Sequence, residues 1–219
     1  VALVKDDGQQ LQAGEQYAGR LAVNTWWPPI IVRERGDHSM WLRHLELLIP
    51  TERDRWQVIY WLAAAAQNPG VKFQYMLLLQ GVEGNGKTLL SRLAAKALGE
   101  RYVHWPSIDT LGRNFNAWME NRLLICLEDI YIPNSERHIL ERLKPMIAGG
   151  AALEIEGKGL DQRSASVCCN FIANTNHKAG VPKSANDRRI MPVFTAQQVR
   201  SDLAACGMGS AYFRRMYAW

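Results

Sequence analysis

Gly81-Val82-Glu83-Gly84-Asn85-Gly86-Lys87-Thr88 carries the spacing G-x-x-x-x-G-K-[ST]. Each residue type has a reason to be there. Gly81, Gly84 and Gly86 let the backbone turn its N–H groups inward, a path that residues with a Cβ resist. Those N–H groups, with the start of a following helix, make a nest for phosphates. Lys87 reaches the β- and γ-phosphates, and the Thr88 hydroxyl is a ligand for Mg²⁺. The Lys87 side chain is expected at an exposed loop, outside the core. Val82 and Asn85 complete the loop, and Glu83 faces solvent with no chemical role. The chemistry implied is binding and hydrolysis of a nucleoside triphosphate, with ATP and Mg²⁺ as the expected pair.

A second chemical element is Leu123-Leu124-Ile125-Cys126-Leu127-Glu128-Asp129, an apolar run ending in two acids. Five consecutive apolar residues predict a strand buried on both faces. It is expected beside the strand that feeds the phosphate loop, with its acids at the crevice where ligands sit. One acid serves Mg²⁺ and the other activates the attacking water. Metal is assigned to Asp129 and water activation to Glu128, with the reverse order left open.

Two further groups follow. Phe171-Ile172-Ala173-Asn174-Thr175-Asn176 ends a strand on the same sheet edge. A neutral amide there can bond the γ-phosphate or its water; Asn176 is the first candidate and Asn174 the second. Asn186-Asp187-Arg188-Arg189-Ile190 sets two guanidinium groups just before another strand. Arginine offered to a neighbouring subunit's γ-phosphate stabilises transition-state charge.

The elements that must position these groups are legible around them. Gln74–Gln80 is a short apolar strand, and Thr88–Leu98 repeats apolar residues at helical spacing. Upstream, a helix is expected from Gly36-Asp37 to Pro50. A second runs from Thr51, with Asp54 completing a capping box, to Asn68-Pro69-Gly70. Tyr102–Trp105 reads as a short strand and Leu111–Met119 as a weak helix or loop. Ser135 is expected to cap a helix that Pro145 and Gly149-Gly150 break. Residues 152–166 read as a hairpin turning at Gly157-Lys158-Gly159. Val167–Ala173 and Asp187–Phe194 are strands, with a helix after Thr195. Strands alternating with helices predict an α/β sheet. The division expected is an arm over residues 1–35, with Trp26-Trp27-Pro28-Pro29 lying over the domain, a small helical subdomain over 36–70, and the phosphate-loop domain over 71–219.

In this order the parts resemble superfamily 3 helicases of the AAA+ class, most of all the helicase domain of phage and plasmid primase–helicases. The matching stretches are GVEGNGKT, LLICLEDI, GGAALEIEGKGLDQR, FIANTN and NDRRI. The resemblance implies an ATP-driven DNA helicase working as a homo-oligomeric ring, usually a hexamer. It implies Asn176 as polar sensor and Arg188 as the finger acting in trans, with Arg189 beside it. It implies that Lys158, at the hairpin tip, contacts single-stranded DNA in a central channel, and Arg163 adds to that charge. A lysine between two glycines is a positive, exposed tip that holds phosphate without reading bases. Many relatives carry a His or aromatic beside that lysine, where this chain has Gly159. The stretch has no zinc ribbon or polymerase carboxylate cluster, so a primase or polymerase domain is expected elsewhere in a longer protein. The start at Val1 agrees with an excised piece.

Composition sets the outer bounds. The 219 residues carry a net charge of +5, which suits a polyanion partner. Four cysteines without C-x-x-C spacing read as thiols in a reducing, cytoplasmic compartment of a host cell. No apolar run approaches a membrane span. Two rivals remain: an AAA+ ring that remodels or encircles partners without unwinding, and a small-molecule P-loop kinase. The kinase needs an Arg-rich lid and a second substrate site, which the glycine-flanked Lys158 hairpin does not supply.

Overall fold

The structure is a computed structural model. It describes residues 16–17, 20–21, 35–113, 115–150, 152–157, 159, 161–182 and 187–218. Most of the expected arm, including Trp26 and Trp27, lies outside the described residues, and so do Lys158 and Asn186. Of the arm, Gln16–Tyr17 (β1) and Arg20–Leu21 (β2) form a short antiparallel pair.

Five parallel strands form the central sheet. They are Met76–Gln80 (β3), Val103–His104 (β4), Leu124–Leu127 (β5), Asn170–Thr175 (β8) and Ile190–Phe194 (β9), in the order β4-β5-β8-β3-β9. A parallel sheet needs cover on both faces, and its strands alternate between two apolar layers. Leu77, Leu79, Leu124, Cys126, Ile172 and Val193 pack toward helices Ser39–Leu48 (α1), Glu52–Gln67 (α2) and Lys87–Leu98 (α3). Met76, Leu78, Ile125, Leu127, Phe171 and Ala173 pack toward Ile108–Gly112 (α4) and Arg137–Ala148 (α5). The result is an α/β fold with a parallel sheet flanked by helices. Residues of α1 and α2 share one hydrophobic cluster with the sheet, so the 36–70 segment is packed directly onto it.

The strand order corrects one expectation. The acid-bearing strand β5 is not beside β3; β8 lies between them, paired in parallel with both. Residues 170–175 are buried throughout, so β8 has the apolar cover that a central position demands. This places the amides at its end between the phosphate loop and the two acids.

Three local expectations also change. Thr51 precedes α2, but no side chain caps that helix, so the capping box is not formed. Ser135 falls in a short 3₁₀ turn, Asn134–Glu136, and α5 starts at Arg137. That helix continues through Pro145 to Ala148, because Leu143, Met146 and Ile147 on its buried face hold the last turn against the sheet. One missing N–H costs less than losing that burial.

The hairpin forms as expected from Ala152–Ile155 (β6) and Arg163–Ser166 (β7), with Ile155 opposite Arg163. Asn116 ties down its base. The Asn116 amide donates to the Glu154 carbonyl over 2.8 Å, and the Glu156 N–H donates to Asn116 Oδ1 over 2.8 Å. After β9 the chain forms two helices, Arg200–Ala205 (α6) and Ser210–Ala218 (α7).

Candidate phosphate-binding and catalytic site

The loop between β3 and α3 leaves the sheet at Gly81. A Cβ there would stand 1.8 Å from Thr195 Oγ1, so the tight packing admits only glycine. The first half of the loop is held by backbone bonds. The Gly81 N–H donates to the Thr175 carbonyl over 3.2 Å, and the Val82 N–H to the Gln197 carbonyl over 2.9 Å. Asn85 is fully buried and donates to Thr195 Oγ1 over 2.9 Å. Gly84 and Gly86 take φ of +80° and +90°, in the left-handed region that turns successive N–H groups the same way. Helix α3 then opens on Gly86 with no side-chain cap. Its first N–H groups and its dipole are left to an anion.

Lys87 is not exposed as the sequence suggested; only 5% of it reaches solvent. Its Nζ reaches the carbonyls of Gly81 and Val82, both at 2.8 Å, Asn85 Oδ1 at 3.1 Å and Asn176 Oδ1 at 3.0 Å. The aliphatic stem is packed while the amine gathers oxygens from the loop and from β8. Burial pushes the amine down from its ordinary 10.5 to about 8, against the pull of Asp129 and Glu128 nearby. An amine so enclosed by acceptors is set to take a phosphate oxygen in their place.

The two acids end β5 on different sides. The Thr88 hydroxyl donates to Glu128 Oε2 over 2.6 Å, and the Asn174 amide donates to Glu128 Oε1 over 2.7 Å. Asn174 is buried and also donates to Ser91 Oγ over 3.1 Å. Asp129 is exposed, has a φ of +49°, and accepts from the Asn176 amide over 2.6 Å. Of the two amides, Asn176 therefore faces the cleft, while Asn174 stands behind Glu128. The sequence assigned metal to Thr88 and Asp129 with the order of the two acids left open; in the structure the Thr88 hydroxyl bonds Glu128.

Lys87, Thr88, Asp129 and Asn176 line a cleft of about 420 Å³, bounded further by the rest of residues 83–89 and by two aromatic residues of α7, Phe213 and Tyr217. Glu83 is exposed at its rim. The donor set fits a magnesium–triphosphate pair. The hard oxygens of Thr88 and Glu128 stand together, and Mg²⁺ with a nucleotide asks for one or two protein oxygens, with phosphates and water supplying the rest. Among the described residues, no cluster of three or more His, Cys, Asp or Glu stands ready to hold a metal by itself.

Sequence reasoning missed the support from α1 and α7. His44 of α1 is fully buried behind the loop, with Nδ1 2.9 Å from the Tyr212 hydroxyl and Nε2 3.5 Å from the Gly86 carbonyl. Desolvation holds its pKa below the ordinary imidazole value, against the opposing bond to the Gly86 carbonyl. A Cβ at Gly86 would stand 2.5 Å from His44 Cε1 and 3.1 Å from Phe213 Cε1. The sequence signal for α7 was the aromatic spacing Tyr212, Phe213, Tyr217. Nothing local tied it to a loop more than a hundred residues upstream.

Other expected residues lie elsewhere. Arg188 and Arg189 precede β9, on the sheet edge opposite the phosphate loop, because β9 runs parallel to β3. Arg188 is exposed; Arg189 leans toward Asp187, whose carboxylate accepts its backbone N–H over 3.0 Å. Arg163 is paired with Glu120 at 2.5 Å, so its charge is already matched. Cys126 and Cys169 are buried, Cys168 and Cys206 are half-buried, and all four are free thiols. Among the described residues, no helix is long and apolar enough to cross a membrane.

Residues 79–189 match a family of unknown function, DUF5906, and the chain belongs to that family. It is 31% identical over 136 residues to the DNA primase-polymerase of Nitratiruptor phage NrS-1, across 60% of this chain and 18% of that protein. The apo structure of the NrS-1 C-terminal region shares the fold, with a TM-score of 0.72 at 19% identity over 96% of this chain and 52% of that one. The chain is therefore a homologue of a phage primase-polymerase and spans under a fifth of its length. A structure of JCV helicase covers 83% of this chain and 51% of its own at a TM-score of 0.49 and 11% identity, too loose a likeness to carry argument.

Proposed function

We propose that this chain is the ATP-hydrolysing motor of a DNA helicase of the superfamily 3 type. The observation that carries the reading is the convergence of Lys87, Thr88, Glu128, Asp129 and Asn176 on an uncapped helix start. Five groups with those chemistries at one sheet edge match the demands of phosphoryl transfer to water.

Each residue then has a task. The loop N–H groups and Lys87 bind the phosphates. Thr88 and Glu128 would hold Mg²⁺, which would supply charge neutralisation to the phosphates. Asp129 takes a proton from the attacking water, whose oxygen bonds to the γ-phosphorus as the bond to the β–γ bridging oxygen breaks. ADP and phosphate leave. Asn176 spans Lys87 and Asp129, so it orients both the amine and the base. This reverses the order of the two acids that the sequence favoured, because Thr88 bonds Glu128. Arg188, on the far edge, serves a neighbouring subunit's site or none, which agrees with action in trans in a ring.

DNA enters through charge. Lys158, in the connection between β6 and β7, is the proposed phosphate contact, and the Asn116 bonds give that hairpin a fixed base. The test combines single-strand binding over a salt series with strand displacement. Lys158→Ala is expected to flatten the salt slope and lose displacement while basal ATP turnover stays near wild type. Wild-type displacement in that variant would move the contact elsewhere. ATP turnover without any displacement by the wild-type chain would favour a ring that remodels or encircles its partner.

A further inference from the structure

The cleft described above has more in it than a triphosphate needs. Beyond the loop and the catalytic polar groups, it is bounded by Leu89 and by Phe213 and Tyr217 of α7. These two aromatic residues are four apart on one helix, so they stand on the same face, one turn after the other. Phe213 is fixed. Its ring meets His44 edge-on at 6.3 Å and Tyr212 edge-on at 5.1 Å, between centroids, and a Cβ at Gly86 would stand 3.1 Å from its Cε1. Tyr217 is 65% exposed, a large ring kept at the mouth of a polar cleft without burying itself. The Tyr212–His44 contact, with His44 Nε2 at the Gly86 carbonyl, anchors α7 to the back of the loop.

We propose that Phe213 and Tyr217 form the nucleoside subsite, a stacking surface for the base of the bound nucleotide; this rests on the reading of the 81–88 loop as a triphosphate site. A flat aromatic face recognises the π-face common to all bases and does not read their edges. The subsite accordingly takes ATP and GTP alike.

The experiment uses two ligands that share phosphates and differ in the base: ATP and inorganic tripolyphosphate, each with Mg²⁺. Dissociation constants are measured for the wild-type chain, Tyr217→Ala, Tyr217→Phe and Phe213→Leu. Tyr217 is exposed, so its replacement leaves folding intact. Wild type is expected to bind ATP more tightly than tripolyphosphate. Tyr217→Ala and Phe213→Leu are expected to weaken ATP and GTP by roughly tenfold, as loss of one stacking partner predicts. They leave tripolyphosphate unchanged, and Tyr217→Phe retains full ATP affinity. Unchanged ATP affinity in both Tyr217→Ala and Phe213→Leu overturns the subsite while the phosphate loop stands. Equal losses for ATP and tripolyphosphate also overturn it, making α7 a prop for the loop. Failure of the wild-type chain to bind either ligand overturns the phosphate reading itself, a different result.

Discussion

The Thr88 hydroxyl donates to Glu128 over 2.6 Å, and that bond separates the two acids at the end of β5 by role. Glu128 is turned toward the start of α3, where a metal-bearing phosphate chain would lie. Asp129 is turned out, into the cleft, against the Asn176 amide. Two adjacent carboxylates thus meet different partners because the chain turns just past β5, where Asp129 takes a φ of +49°.

The substitutions Asp129→Asn and Glu128→Gln are expected to part company. Asp129→Asn should lose turnover by about 10²- to 10⁴-fold, the usual contribution of a positioned base, and still bind Mg·ATP. Glu128→Gln should also slow turnover, but with a raised Mg²⁺ requirement for nucleotide binding. Magnesium titrations of ATP binding in both variants check this. A raised requirement in Asp129→Asn alone would restore the opposite order.

Lys87 sets a pH dependence. Its amine titrates near 8 in the free chain, because burial disfavours the charge. Phosphates stabilise the charged form, so the bound amine titrates higher. Nucleotide affinity should be full below about pH 8 and fall above it, by up to roughly tenfold per pH unit. Stability moves the other way. The unfolded lysine, at its ordinary 10.5, holds its proton through this window, so this group adds stability as pH rises from about 8 toward 10.5. Affinity measured alongside thermal unfolding separates the two; flat affinity to pH 9.5 would deny Lys87 its phosphate.

Arg188→Ala should abolish turnover in a ring while ATP binding persists. Mixing it with an Asp129→Asn chain should restore turnover at interfaces that pair an intact Asp129 site with an intact Arg188. Phosphate release against mixing ratio is the measurement. No restoration at any ratio, with mixed rings demonstrated by mass, would show that Arg188 does not act across the interface.

The sequence made the local chemistry plain and the long-range geometry obscure, for a physical reason. A phosphate loop needs glycines and a lysine within eight residues, so its pattern is contiguous. The buried strand before Glu128 is likewise written in one run of apolar residues. Insertion of β8 between β5 and β3 joins residues far apart in sequence, and the apolar runs of all three strands look alike. Nothing local marks His44; its contact with Gly86 and Tyr212 depends on how α1 and α7 meet behind the loop. Exposure of Lys87 was misjudged because a loop lysine ordinarily points to water, whereas here four oxygens surround it.

The central claim is that the 81–88 loop binds ATP for hydrolysis. It is tested most directly by phosphate release from Mg·ATP by the wild-type chain and by Lys87→Met, which keeps the buried aliphatic stem and removes the amine. Thermal unfolding of both chains shows that the fold is retained. The account predicts steady turnover in the wild type and its loss, by a hundredfold or more on the order of a missing charge clamp, in Lys87→Met. Equal turnover by the two folded chains would contradict it.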